Sequence, residues 1–404
     1  MIADLHAHYP MHLRPKVKGS VVNLIASAPG RWRTLDVIRS FLVRTASRLG
    51  NYQRYDSGPR VTVPQLHAGG VGLAMSVLYS PFDEMDLGKK YGSPPDGTYF
   101  PTLLRQLEDV EAEVEAEHPG LARIAHDPDE LERTIALGEV ALVHCVEGGF
   151  HLGPTPEAID AAVAELAERG CFYITLAHLF YRSVATNANA IPFLPTSVYR
   201  RLFPMPEATG LTDLGRAAVR AMVRERVIVD LSHMDQAALD DTFALLDELD
   251  PERQVPVIAS HAGFRFGDDR YNLSAETIER IAARDGVVGL ILATHQAADG
   301  LGDPDRRADS IAVLYRHVDR IREIAGSHRH TAIGSDFDGF IKPTLPGLES
   351  AGDLHRLEDA LADRYGHDDA ELIASANVLR LARGYWRGGL EESPPPQARP
   401  RVRG

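Results

Sequence analysis

Short apolar runs, each ending in a polar residue, recur along most of the chain. Runs of this length that stop at a turn or a helix signal are typical of strands buried in a parallel sheet. Helical stretches such as Pro156–Arg169 and Ala275–Arg284 lie between them, and alternating strands and helices indicate an α/β fold. The eight predicted strands are Met1–His8, Gly72–Ser80, Glu139–Glu147, Phe172–His178, Val227–His233, Val255–His261, Val287–His295 and Thr331–Asp336.

The carboxyl ends of these runs distinguish a barrel from an open sheet. Seven of the eight end in His, Glu or Asp, and the second ends in Ser80. An open sheet that binds dinucleotides carries a glycine-rich phosphate loop after its first strand, and the sequence has none there. In a (β/α)8 barrel all strand ends meet at one mouth, where buried polar groups can share partners. We therefore predict a (β/α)8 TIM barrel.

Two insertions and a tail depart from a minimal barrel. Residues 9–71, after the first strand, and residues 179–210, after the fourth, are longer than a single helical return. The first contains an amphipathic segment, Arg31–Arg48, that we predict to be a helix. The second is rich in proline, and we expect it to form a lid or a wall for the substrate. We predict one barrel over residues 1–387 and a disordered tail over 388–404.

Composition and charge narrow the classes of partner. The chain is 44% hydrophobic and 25% charged, as in ordinary globular proteins. Its formal net charge of −14 repels nucleic-acid phosphates and anionic membranes, so we predict neither as a partner. No segment reads as a signal peptide or reaches the ~18 apolar residues of a membrane span, and we expect a cytoplasmic protein. The sequence leaves the oligomeric state open, a homodimer included.

Histidines and one glutamate at the strand ends form a candidate set of metal ligands. His6 and His8 are two positions apart on one strand, so both point to the same face and can chelate one ion. Glu147 ends the third strand before two glycines, where a carboxylate can bridge two ions. His233 and His261 end neighbouring strands, ~4.8 Å apart, and can converge on one ion. Imidazoles with a carboxylate suit zinc, manganese or iron, and we predict two zinc ions, with other divalent transition metals as alternatives.

Asp336 and His178 are the candidate catalytic residues. Asp336 ends the eighth strand in GSDFDG, where a carboxylate beside the metals can accept a proton from water. Asp338 could compete for this role, but we expect it to cap its loop. His178 ends the fourth strand and is one ligand more than the metal set needs, so we assign it to the carbonyl oxygen of the substrate.

Eight motifs follow one another along the chain: HAH, VEGGF, YITLAH, GLTDLGRAAVRAM, VDLSH, PVIASH, IGSDFDG and NVLRL. In this order they resemble the renal, or membrane, dipeptidase family of zinc peptidases in the amidohydrolase superfamily. The resemblance implies two zinc ions bridged by Glu147, with His6 and His8 completing one site and the other two histidines the second. It also implies that His178 contacts the substrate and the tetrahedral intermediate. The strand-eight aspartate of the family falls on Asp336.

Two departures from the family motifs bear on the chemistry. The first motif of the family is usually HxD, whereas this chain has His6 and His8, which makes the metal site one charge more positive. The family holds the carboxylate of the dipeptide with an arginine directly before an asparagine. Here Tyr271 precedes Asn272, and only a shift of one residue would let Arg270 serve. Both Arg270 and Tyr271 are therefore candidates for contact with the substrate.

The function predicted from these features is hydrolysis of the amide bond of a dipeptide or a similar small acylated amino acid. A first alternative is another amidohydrolase reaction, deamination or lactone opening, on the same barrel. Many enzymes of that superfamily bridge their metals with a carboxylated lysine, but no lysine ends a predicted strand here. A second alternative is a non-catalytic metal-binding protein, which would need neither Asp336 nor His178.

Overall fold

The computed structural model describes residues 1–12, 59–84, 86, 89–191, 194–206, 209–339 and 343–387. Most of the predicted insertion over residues 9–71, including the predicted helix Arg31–Arg48, lies outside the described residues. The predicted tail, residues 388–404, also lies outside them. No helix in the described ranges is long and apolar enough to cross a bilayer.

A closed ring of eight parallel strands forms the centre of the described part of the chain. Each strand pairs with the next around the ring, and β2 pairs with β4 to close it. A further short strand, β3, adds to the amino-terminal half of β4. The strands are β1 (Ile2–Ala7), β2 (Val71–Leu78), β3 (Ala122–Ile124), β4 (Val140–Glu147), β5 (Tyr173–Thr175), β6 (Ile228–Asp230), β7 (Val257–Ala262), β8 (Val287–Leu290) and β9 (Thr331–Ile333). The predicted (β/α)8 barrel is confirmed.

Several strands end earlier than the apolar runs predicted. β5 ends at Thr175 and β9 at Ile333, so His178 and Asp336 lie in the loops that follow these strands. The backbone leaves the extended conformation at these loops, as the φ of 55° at Asp336 shows. His178 and Asp336 thus belong to the βα loops, which form the functional mouth of such barrels, whereas Glu147 and His261 lie within their strands.

Helices surround the barrel. Several begin at a Thr, Asp or Ser whose side-chain oxygen accepts a backbone N–H in the first turn, among them Thr155, Asp235 and Ser274, as expected for capping residues. The helices in the described ranges are α1 (Val63–Ala68), α2 (Pro81–Glu84), α3 (Tyr99–Glu117), α4 (Pro128–Ala136), α5 (Pro156–Glu168), α6 (Thr196–Leu202), α7 (Asp213–Glu225), α8 (Gln236–Leu249), α9 (Ala275–Ala282), α10 (Thr294–Ala297), α11 (Arg307–Ala325), α12 (Leu354–Tyr365), α13 (His367–Glu371) and α14 (Asn377–Tyr385).

The core has an inner and an outer apolar layer. Along β4, Val143 and Cys145 belong to the inner cluster, to which every strand of the ring contributes, whereas Leu142 and Val146 belong to the outer cluster that packs under the helices. This alternation follows from the two-residue period of a strand. Trp386, just after α14, packs edge-to-face on Phe172 with centroids 5.6 Å apart.

Candidate metal centre

Seven of the side chains proposed from the sequence meet at the mouth of the barrel. Five are imidazoles and two are carboxylates, and each comes from a strand or from the loop directly after one. Six are buried, and Asp336 is the most open, with 14% of its side chain exposed. The seven residues are His6, His8, Glu147, His178, His233, His261 and Asp336.

His6, His8 and Glu147 form one half of this cluster. The Nε2 atoms of the two histidines are 3.2 Å apart. They lie 3.5 Å from Glu147 Oε1 and 3.3 Å from Glu147 Oε2, respectively. In a tetrahedral zinc site with Zn–N bonds of about 2.0–2.1 Å, neighbouring ligand atoms are roughly 3.3–3.4 Å apart. The spacing suits three ligands of one metal ion.

His233 and His261 form the other half, again with Glu147. Their Nε2 atoms are 3.0 Å apart and lie 3.3 Å and 3.4 Å from Glu147 Oε1. His233 has a φ of 67°, a conformation that costs a non-glycine residue about 1–3 kcal/mol and is concentrated at functional sites. The strained loop after β6 thus directs this imidazole at the carboxylate.

The carboxylate of Glu147 lies at the centre of the cluster. Both of its oxygens are buried, and neither has a hydrogen-bond partner of good geometry among the described residues. Burial raises the pKa of Glu147, but the imidazoles of His178 and His6 outweigh it and hold the pKa well below the usual range. A buried carboxylate without hydrogen bonds is costly. The lack of hydrogen bonds to these oxygens and the spacing of the ligand atoms both fit a carboxylate that binds metal.

The glycine after Glu147 explains the EGG motif. Gly148 has a φ of 97°, in the left-handed region that favours glycine. A Cβ atom there would lie 2.2 Å from a ring carbon of Phe150. The chain can therefore turn away directly after the carboxylate only with glycine at this position.

A network of hydrogen bonds behind the cluster orients two of the imidazoles. Tyr173 donates its hydroxyl hydrogen to a backbone carbonyl and lies 2.8 Å from His6 Nδ1, so it accepts from that nitrogen. His261 Nδ1 is 2.8 Å from Ser260 Oγ, which donates to Asp230 at 2.6 Å. Both rings therefore carry their hydrogen on Nδ1 and present Nε2 to the cavity, an arrangement common for metal-binding histidines. The sequence pattern did not identify Tyr173, Ser260 or Asp230.

His178 is held by a second buried carboxylate that the sequence analysis missed. Its Nδ1 is 2.8 Å from Glu84 Oε2 and its Nε2 is 3.2 Å from Glu147 Oε2. Although burial lowers the pKa of His178, the two glutamates raise it to about 10. Glu84 lies on the four-residue helix α2 and not at a strand end. Its only signal in the sequence is a position in the first turn after β2, on the mouth side of the barrel.

The two aspartates after β9 have different environments. Asp336 Oδ1 is 3.4 Å from His8 Nε2, beside the candidate metal ligands. Asp338 is buried and its Oδ2 accepts the backbone N–H groups of Arg60 and Val61 at 2.8 Å and 3.0 Å. Asp338 therefore anchors the backbone at Arg60 and Val61, just before α1. Asp336, in contrast, faces the cavity.

A cavity opens beside the cluster. Leu179 and Ala190, from the predicted substrate wall, line it together with Tyr271 and Gln296. Arg270 has an exposed side chain and does not belong to this lining. The structure therefore brings Tyr271, and not Arg270, to the cavity.

Comparison with known proteins finds relatives along nearly the whole chain. A model of the membrane dipeptidase family, peptidase family M19, matches residues 2–385. Dipeptidase tcpJ of Claviceps purpurea is 27% identical over 267 residues, which are 64% of this chain and 54% of that protein. Dipeptidase aclJ of Aspergillus oryzae is 29% identical over 178 residues, 44% of this chain and 39% of that protein. The matches thus span about half or less of the length of these curated relatives.

Solved structures share the fold. Dipeptidase AC, a metallopeptidase of family M19, has a TM-score of 0.65 at 21% identity, covering 86% of this chain and 95% of that chain. A metallopeptidase from Rhodobacter sphaeroides, liganded with a phosphinate mimic of the dipeptide L-Ala-D-Ala, has a TM-score of 0.64 at 20% identity, covering 86% and 96%. Both likenesses support the barrel assignment.

Proposed function

The chain belongs to the membrane dipeptidase family, peptidase family M19, and from this premise we propose that it is a two-zinc hydrolase of dipeptides or similar small acylated amino acids. The observation that carries the proposal is the cluster of five imidazoles around the buried carboxylate of Glu147. The names of the relatives and the dipeptide mimic bound to the Rhodobacter sphaeroides enzyme support a dipeptide as substrate. A cytoplasmic location and an absence of nucleic-acid or membrane partners belong to the same proposal.

The five candidate ligands divide into two sets that share Glu147. His6 and His8 would hold one ion, His233 and His261 the other, with the glutamate between them. Zinc fits this mixture of imidazole and carboxylate, and manganese or iron are the alternatives. Two such ions would polarise the scissile carbonyl group and make an attacking water molecule more acidic.

Asp336 is the proposed proton carrier. It is the most solvent-accessible of the seven clustered side chains, and its Oδ1 lies 3.4 Å from Nε2 of the proposed ligand His8, where it would be in reach of the attacking water. Asp336 would accept a proton from that water and pass it to the nitrogen of the leaving amine. General acid–base catalysis of this kind contributes typically about 10²- to 10⁴-fold.

His178 is the proposed contact for the carbonyl oxygen of the substrate. Glu84 accepts a hydrogen bond from Nδ1 and so fixes the ring with Nε2 toward the cavity. A donor held in place before the reaction stabilises the negative charge that develops on the oxygen without having to reorganise. This role does not require His178 to bind metal.

Tyr271 is the proposed contact near the end of the substrate. Its hydroxyl group donates to the backbone oxygen of His261 at 2.8 Å, so toward the substrate the hydroxyl group could only accept a hydrogen bond. Gln296 adds an amide whose buried Oε1 has no hydrogen-bond partner among the described residues and could accept a hydrogen bond from the substrate. The contact of Arg270 with a substrate carboxylate that the sequence allowed is not part of this proposal, because the exposed side chain lies outside the cavity lining.

Metal analysis combined with a panel of substrates tests the proposal. The purified protein should contain two ions per chain and hydrolyse mixed dipeptides, and Glu147→Gln should lose both metal and activity. Two tightly bound ions in Glu147→Gln would show that the bridging role is wrong. Metal-bound protein that opens lactones or deaminates but leaves dipeptides intact would favour the first alternative, and metal-bound protein without any hydrolysis the second.

A further inference from the structure

A second group of metal-ligating side chains lies on the outer side of the barrel wall. Glu111 comes from α3, His126 from the turn after β3, and His144 from the middle of β4. His144 precedes Glu147 by three residues on the same strand, so the two side chains point to opposite faces, about 10 Å apart along the strand. The group is therefore separate from the centre at the mouth.

The distances within this group are those of metal ligands. Glu111 Oε1 is 3.2 Å from His126 Nε2 and 3.4 Å from His144 Nε2. One ligand atom from each of the three residues lies within 4.8 Å of the others. The two shorter distances match the roughly 3.3–3.4 Å between neighbouring ligands of a tetrahedral zinc ion.

The environment of His144 suits a metal ligand. Its side chain is fully buried, and neither ring nitrogen has a hydrogen-bond partner of good geometry among the described residues. Buried polar atoms are rarely left unpaired, because the lost hydrogen bond to water costs about 1–3 kcal/mol. Burial lowers the pKa of His144, which favours the neutral imidazole that binds metals. The nitrogen Nε2 is directed at Glu111.

His126 and Glu111 are also oriented and charged as metal ligands would be. Glu130 lies 2.9 Å from His126 Nδ1 and also accepts the backbone N–H of His126, which fixes the ring with Nε2 toward Glu111. A carboxylate behind the imidazole is common in metal sites. The nearby imidazole of His144 contributes most to lowering the pKa of Glu111 to about 2, so the carboxylate is charged. The side chains of His126 and Glu111 are 41% and 30% exposed, which leaves room for a water molecule as a fourth ligand.

We propose that Glu111, His126 and His144 bind one divalent transition-metal ion, with solvent at the remaining position. Two imidazoles and a carboxylate suit zinc, cobalt, nickel or copper better than calcium or magnesium. The ion would connect the side chains of α3, the turn after β3 and β4. Its expected effect is to stabilise this side of the barrel, because a ligand that binds only the folded state raises the free energy of unfolding.

Counting bound metal in the full-length protein tests this proposal. The protein is saturated with Zn²⁺, dialysed against trace-metal-free buffer and analysed by mass spectrometry, and affinity for a further equivalent is measured by titration with Zn²⁺. His126→Gln should bind one equivalent fewer than wild type, or bind it at least about 10- to 100-fold more weakly. His118→Gln is the matched control, since His118 pairs with Glu113 at 3.0 Å and lies outside the group.

Thermal unfolding provides a second measurement. Added Zn²⁺ should raise the Tm of wild type and His118→Gln more than that of His126→Gln and Glu111→Gln. Glu147→Gln should still bind the ion at the outer group, which separates this proposal from the one for the centre at the mouth. Equal stoichiometry, affinity and Tm shift in wild type, His126→Gln and Glu111→Gln would overturn the proposal.

Discussion

The hydrogen bonds of Glu84 lead to a prediction about the role of His178. Glu84 is 1% exposed and accepts three hydrogen bonds, from His178 Nδ1 at 2.8 Å, the Tyr79 hydroxyl at 2.6 Å and the Phe180 N–H at 2.7 Å. Glutamine has nearly the same shape but replaces one acceptor oxygen with an NH₂ group. In Glu84→Gln that NH₂ group faces either the N–H of Phe180 or the side chains of His178 and Tyr79, and in both orientations hydrogen bonds are lost.

The size of the effect follows from the charge and burial of this contact. A lost hydrogen bond to a charged group costs about 1.5–3 kcal/mol, which corresponds to roughly 10- to 150-fold in rate. We expect Glu84→Gln to lower kcat and kcat/KM by this factor with little change in KM, because His178 is proposed to act on charge that develops during the reaction. Metal content should stay at the wild-type value, since Glu84 does not belong to the proposed ligand set.

The assay measures kcat and KM on one dipeptide, together with metal content. Glu139→Gln serves as the control, because Glu139 pairs with Arg123 at the opposite end of the barrel. Glu84→Gln is also made in a His178→Ala background. If Glu84 acts only through His178, the second substitution should lower kcat little further there. Equal losses in both backgrounds, or a loss below about threefold in the wild-type background, would refute the positioning role.

Three further predictions concern the roles of single side chains. Asp336→Asn should keep both metals and the fold but lose about 10²- to 10⁴-fold in hydrolysis, because the amide cannot accept the proton; a loss below about threefold would exclude that role. His178→Ala should keep both metals and lose about 10²- to 10³-fold in kcat, and metal analysis that finds fewer ions would make His178 a ligand. Arg270→Met should change kcat/KM on a free dipeptide by less than about threefold, because the side chain is exposed and outside the cavity lining. A loss of roughly 10- to 150-fold on the free acid, but not on its C-terminal amide, would show that Arg270 binds the substrate carboxylate.

The sequence alone was sufficient to predict the barrel and to locate the seven side chains of the cluster. Strands buried on both faces are mostly apolar along their whole length, so runs such as Glu139–Glu147 stand out from the helices between them. In a closed parallel barrel every run ends at the same mouth. A histidine or carboxylate at the end of a run is therefore placed near the others by topology, whatever the distance along the chain.

Tertiary structure decided what surrounds that cluster. Glu84 reaches His178 from a short helix 94 positions earlier in the chain, and Ser260 links His261 to Asp230 on the neighbouring strand. The choice of Tyr271 over Arg270 for the cavity lining likewise depends on the path of one loop. These contacts have no periodic signal, because loop conformation and barrel closure, rather than the local alternation of apolar and polar residues, determine which distant side chains meet.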